Sequence, residues 1–127
     1  MIQEQYVSFE TARLLKEKGF NVKCHTYYNY QSVSYSQHNE NWNYNGTFRG
    51  GMLSAPTQSL VMRWLREIHN LFIGIIPQEI GLGVSGITFT IDKITEDLWN
   101  SLFQDKGFDS YEEAAETAIL YALKNLI

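Results

Sequence analysis

Gly19-Phe20-Asn21-Val22-Lys23-Cys24-His25-Thr26-Tyr27-Tyr28-Asn29-Tyr30-Gln31-Ser32-Val33-Ser34-Tyr35-Ser36-Gln37 is the stretch on which the fold class turns. Gly19 can sit at the C′ position of a helix, where a left-handed residue is wanted. Phe20 then falls at C″, placed to touch Leu15 in a Schellman-type stop. Beyond the stop, Asn21 to Tyr28 and Val33 to Gln37 are rich in Thr, Tyr and Val, which suit a pleated strand. Asn29 to Ser32 supplies a turn between them, although it contains no glycine. A helix that stops and gives way to an antiparallel hairpin points to the α+β class.

Upstream, Ser8 reads as an N-cap, Ala12, Leu14 and Leu15 as apolar positions, and Lys16 and Lys18 as cations at the negative end of the dipole. A short helix over Phe9 to Lys18 follows. Downstream, Asn39 to Ala55 reads as a long irregular connection carrying Gly46, Gly50 and Gly51. A second helix begins near Pro56-Thr57, where proline suits a first turn. Leu60, Val61, Trp64, Leu65 and Ile68 form one apolar stripe, and Arg63 and Glu67 pair at i, i+4 on the outer side. Leu71 to Ile76 is a strongly apolar strand. Ile87, Phe89 and Ile91 alternate with Thr88, Thr90 and Asp92 as a half-buried one. Thr95 to Gln104 fits either a helical turn or a further strand. The last helix is opened by the capping box Ser110-x-x-Glu113, loaded by Glu112, Glu113 and Glu116, and closed by Lys124. Ala114, Ala115, Ala118, Ile119, Ala122, Leu123 and Leu126 give it a broad apolar face. The expectation is one α+β domain over residues 1–127. It would hold an antiparallel sheet of about four to five strands and three helices, in the order α-β-β-α-β-β-(β)-α.

The 127 residues carry a net charge of −4, with 44% hydrophobic residues, an ordinary globular content. No apolar run approaches the ~20 residues that span a bilayer. Met1-Ile-Gln-Glu-Gln-Tyr6 has neither a basic start nor an apolar core, and Cys24 is the one cysteine. Together these point to a soluble, reducing, cytoplasmic setting. Residues 1–70 hold seven Lys/Arg against five Asp/Glu, and residues 71–127 three against nine. That acidic half disfavours nucleic acid, whose binding depends on cations displacing counterions. The α-β-β-β-α order of the second half is also that of double-stranded-RNA-binding domains. Those need basic residues at the last helix, where this chain places three glutamates.

Catalytic and metal motifs are weak. Gly81-Leu-Gly-Val-Ser-Gly86 matches G-x-G-x-x-G, but a strand follows it instead of the helix that a pyrophosphate requires. It reads as a glycine-rich hairpin connection. Cys24 and His25 are neighbours on a strand, so they point to opposite faces and form no dyad. His25, His38 and His69 lack metal-ligand spacing. His69 lies near a helix C-terminus, which would favour its charged form. Asn45-Gly-Thr47 is a glycosylation sequon in form, without a secretion signal. No catalytic residue, cofactor or metal is assigned.

What stands out is composition. Between His25 and Phe48 lie five of the eight tyrosines, Trp42 and five asparagines, with Glu40 the one formal charge. Tyr, Trp and Asn combine flat rings with polar tips and serve as contact residues. The bland alternative is a hairpin with one ring face on the core, followed by a solvated loop. The candidate contact residues are Tyr28, Tyr30, Tyr35, Trp42 and Tyr44, with Trp42 and Tyr44 foremost.

Three stretches, taken together, resemble a group of small uncharacterised proteins encoded in gut Bacteroides genomes, often in phage-like or mobile regions. They are Glu4 to Phe20, Ser54-Ala-Pro-Thr-Gln-Ser-Leu60 with Trp64-Leu-Arg-Glu-Ile-His69, and Phe108-Asp-Ser-Tyr-Glu-Glu-Ala114 running to Ile127. The resemblance implies no activity, substrate or catalytic residue. The expected function is a non-enzymatic binding or regulatory protein of a phage or mobile element. It would contact another protein, with homo-oligomer formation left open. The alternative is a small-molecule or nucleotide binder with a pocket near the 38–55 loop, which a deep pocket joining His25 or His38 to Arg49, Arg63 or Arg66 would favour.

Overall fold

The computed structural model describes residues 3–44, 52–79, 85–94, 99–103 and 107–127. Its elements are α1 (Phe9–Glu17), β1 (Cys24–Asn29), β2 (Ser32–Glu40), a 3-10 turn at Trp42–Tyr44, β3 (Leu53–Ser54), α2 (Gln58–His69), β4 (Leu71–Glu79), β5 (Ser85–Ile94), β6 (Trp99–Phe103) and α3 (Tyr111–Asn125). The class is α+β, with the three helices in their expected places. The strands form two antiparallel sheets of three, ordered β2-β1-β3 and β4-β5-β6, instead of a single sheet. The chain gathers into two compact units, Met1–Leu60 and Val61–Ile127.

In the first unit the helix stop forms as its sequence dictates. Ser8 Oγ accepts from the Thr11 amide at 3.2 Å. Gly19 takes φ 84°. Phe20 N–H donates to Leu15 O at 2.9 Å and Gly19 N–H to Lys16 O at 3.2 Å, the paired bonds of a Schellman motif. Phe20 and Leu15 are fully buried, each contributing about 1.5–3 kcal/mol of apolar burial. The chain then enters β1, which pairs β2 on one side and β3 on the other. The N-terminal segment joins this unit through Val7 N–H to Pro56 O (3.0 Å) and Gln58 N–H to Gln5 O (2.8 Å). Thr57 Oγ1 accepts from the Leu60 amide and so caps α2. Pro56 therefore lies just ahead of the cap and not within the first turn.

In the second unit β4 and β5 pair from Leu71↔Lys93 to Glu79↔Ser85. The G-x-G-x-x-G motif thus joins antiparallel strands, although residues 80–84 lie outside the described ones. Pro77 is tolerated for a reason visible in the ladder. Its partner Ile87 exchanges both backbone bonds with Phe108, so Ile87 turns its polar groups away from β4. Pro77 then needs no N–H, on a strand that is an edge. Within the ambiguous 95–104 stretch, Trp99–Phe103 is a strand, paired with β5 through Ile94↔Trp99 and Thr90↔Phe103, and residues 95–98 and 104 lie outside the described ones. Helix α3 packs on β4 and β5. It starts after Phe108, bridged to Ile87, and ends where Lys93 Nζ reaches Leu126 O. It therefore runs alongside β5 in the same direction, over about 22 Å at 1.5 Å per residue. Its buried face is Ala114, Ala115, Ala118, Ile119, Ala122 and Leu123, small enough for close approach to the sheet. Ser110 Oγ caps it by accepting from the Glu113 amide at 3.0 Å. In α2, Val61, Trp64 and Leu65 are buried as the stripe requires, whereas Ile68 in the last turn is 63% exposed.

Candidate functional site

The five candidate contact residues separate into different roles. Trp42, foremost in the sequence reading, is a core residue with 6% exposure. Its indole N–H donates to Cys24 O at 2.8 Å, and its ring lies 4.8 Å from that of Tyr27. The neighbouring Asn43 is also buried. Its Nδ2 donates to Phe20 O and its Oδ1 accepts from Ser54 N–H, both at 2.9 Å. The 3-10 turn is thereby pinned to the helix stop on one side and to β3 on the other. The expectation of an irregular, surface-forming connection is corrected at Trp42, because an indole with a satisfied N–H gains more by burial than by display. Tyr44 closes the same turn, and its side chain lies outside the described residues, as do residues 45–51 and the sequon they contain.

Tyr28 is half-buried. Its hydroxyl donates to Val7 O and its ring meets Phe9 edge-on at 5.3 Å, so it ties the hairpin to the N-terminal segment and α1. Tyr30 and Tyr35 remain at the surface, 91% and 71% exposed. Tyr35 stacks on His25 with ring centroids 5.6 Å apart and planes 21° from parallel. His25 Nδ1 also lies 3.1 Å from Ser36 O. From sequence, His25 is weighed beside Cys24, among metal ligands and in a pocket, but not against Tyr35. Its pairing with Tyr35 arises from an irregularity in the ladder, where the register jumps between Thr26↔Tyr35 and Cys24↔Glu40. Nothing in residue type announces that jump.

Cys24 is buried and its Sγ contacts Thr26 O at 3.2 Å. Burial raises its thiol above the ordinary range, against smaller lowering by neighbouring hydrogen bonds, first that of the Thr26 backbone. This opposes nucleophile chemistry, which needs a thiolate. His69 reverses its expectation. Burial, and secondarily the charge of Lys93, lower its pKa, so the neutral ring is favoured. It meets Trp64 edge-on at 4.7 Å, and its buried Nε2 has no hydrogen-bond partner among the described residues. Arg63 is engaged by Glu67 at 3.0 Å on the surface, as predicted, a pair worth only about 0.3–0.5 kcal/mol. Among the described residues no cluster of three His, Cys, Asp or Glu could hold a metal, and no helix is long and apolar enough to cross a membrane.

Among the described residues of the first unit, the exposed large hydrophobic side chains are Tyr30, Val33 and Tyr35, all on the β1–β2 hairpin, with His25 stacked on Tyr35. No family model, curated protein or solved structure matches this chain.

Proposed function

We propose that this chain is a non-enzymatic binding protein that contacts another protein through the exposed rings of the β1–β2 hairpin, chiefly Tyr30 and Tyr35. The observation that carries this reading is the backbone at Tyr30. Its φ is 57°, in the left-handed region where a side chain with a Cβ costs about 1–2 kcal/mol. Gly or Asn would turn the chain there at less cost. A bulky ring held in that conformation and left 91% exposed gives the fold little in return. Strain of this kind is retained where the side chain is used. Tyr35, stacked on His25, offers a second ring, and tyrosine is a favoured contact residue because its ring is rigid and amphipathic. A setting in a phage or mobile element rests on the sequence resemblance alone.

The test is affinity capture from an extract of the native host, comparing the intact chain with a Tyr30→Asn, Tyr35→Ser double variant of equal thermal stability. The expected result is a specific protein retained by the first and lost by the second. Identical captured sets would sink the reading.

A further inference from the structure

The outer edge of β2, the terminal strand of its sheet, carries backbone donors and acceptors directed away from β1. Ala55 N–H donates to Thr26 O, so Thr26 turns its polar groups towards β3, and Tyr28, two residues on, does the same. Their partners in β2 are Tyr35 and Val33. In an antiparallel ladder these are then non-hydrogen-bonded pairs, so Val33 and Tyr35 direct both N–H and C=O away from β1. They point at the open edge, since β2 is the terminal strand of its sheet. The contact between His25 Nδ1 and Ser36 O agrees with this phase, because it places the Ser36 carbonyl on the inner side.

We propose that this edge pairs antiparallel with β2 of a second copy of the chain, across a two-fold axis at Ser34. The proposal rests on reading the hairpin as a contact surface and names the occupant of its edge. Three features favour a second copy. A two-fold at Ser34 sets Val33 opposite Tyr35 of the other copy, and Tyr35 opposite Val33, so that each pair exchanges two backbone hydrogen bonds. The side chains in those pairs are aromatic against β-branched, a favoured cross-strand combination, and both are exposed in the single chain, at 40% and 71%. Charge also permits it. The chain carries −4 overall, but Ser32 to Asn39 carries none, and Glu40 at the far end stays clear of its counterpart. Edge strands that avoid pairing use lysine, proline or inward charges. This strand has none of them over eight residues.

The test is analytical sedimentation of the full chain from micromolar to near-millimolar concentration, on the intact protein and two variants. Val33→Pro deletes one outward N–H and leaves the β1–β2 ladder its bonds. Tyr35→Lys puts a charge at the pairing site. The expected result is a mass that rises from one chain to two and stops, while both variants stay at one chain with unchanged far-ultraviolet circular dichroism. If Val33→Pro fails to fold, Tyr35→Lys alone decides. An intact protein that remains at one chain throughout, or a folded variant that dimerises as the intact chain does, overturns the proposal. So does growth beyond two chains. Tyr30→Asn, in the turn outside the regular ladder, separates the two readings. It should leave the dimer intact while weakening capture of a different protein.

Discussion

The indole N–H of Trp42 donates to the backbone carbonyl of Cys24, 2.8 Å away, and this bond joins the end of a polar tract to the first residue of β1. It converts the most conspicuous ring of the tract from display to support. Trp42→Phe keeps most of the apolar volume and strands the Cys24 carbonyl, so a loss of about 1–3 kcal/mol is expected. Trp42→Ala removes the packing against Tyr27 as well, for about 3–5 kcal/mol. Urea unfolding measures both. Because Cys24 is buried in the same region, its alkylation by a thiol reagent should accelerate in the same order. A Trp42→Ala variant as stable as the parent would refute the buried role.

Tyr30 invites the opposite substitution. With φ at 57°, Tyr30→Gly or Tyr30→Asn relieves the left-handed strain, and a gain of up to about 1 kcal/mol is expected. Tyr30→Val places a β-branched residue there and should lose stability. The ordering Asn or Gly above Tyr above Val in thermal midpoint is the readout. An improvement in folding that also lowers partner capture would show stability exchanged for function at this turn.

A tight approach in the second sheet gives a coupled prediction. A Cβ added at Gly74 would meet Thr90 Oγ1 at 2.9 Å, in the directly opposed pair Gly74↔Thr90. Gly74→Ala should therefore destabilise, by about 1–3 kcal/mol as for other overpacking, despite the better strand propensity of alanine. Thr90→Ala opens the space. In the double variant the two effects should fail to add, with a coupling of about 0.5–3 kcal/mol in the stabilising direction. Additive behaviour in chemical denaturation would mean the clash is absorbed elsewhere.

Much of this was legible in the residues, for local reasons. The Schellman stop at Gly19-Phe20, the Ser8 and Ser110 caps and the alanine face of α3 depend on neighbours within a turn, so residue type and spacing suffice. The division into two sheets was not legible, because strand alternation records burial on one side and not which strands pair. The different placements of the candidate contact residues were hidden for the same reason. Tyr28, Tyr30, Tyr35 and Trp42 are chemically alike in sequence, and what separates them is non-local. Val7 O receives the Tyr28 hydroxyl, Cys24 O receives the Trp42 indole, and a jump in register brings His25 under Tyr35.

Burial of His69 is expected to give the second unit a pH-dependent stability. A histidine at the end of a helix is ordinarily favoured in its charged form by the dipole. Here burial, with a smaller contribution from Lys93, lowers its pKa below 6.5, and among the described residues the buried Nε2 has no acceptor for a proton it would carry. The unfolded chain, with an ordinary histidine, binds more protons at mildly acidic pH than the folded one. Stability then rises with pH wherever that difference exists. The stabilisation is complete above the unfolded value near 6.5. It is lost as pH falls from there towards the lowered folded value, and levels off below it. His69→Gln cannot take up the proton and should flatten this segment of the profile, leaving only the carboxylate titrations at lower pH. Lys93→Met removes the repelling charge and should narrow the window without abolishing it, since burial is the larger cause. Urea midpoints taken between pH 5 and 8 on the three proteins decide the matter: an unchanged slope in His69→Gln would assign the dependence to another group.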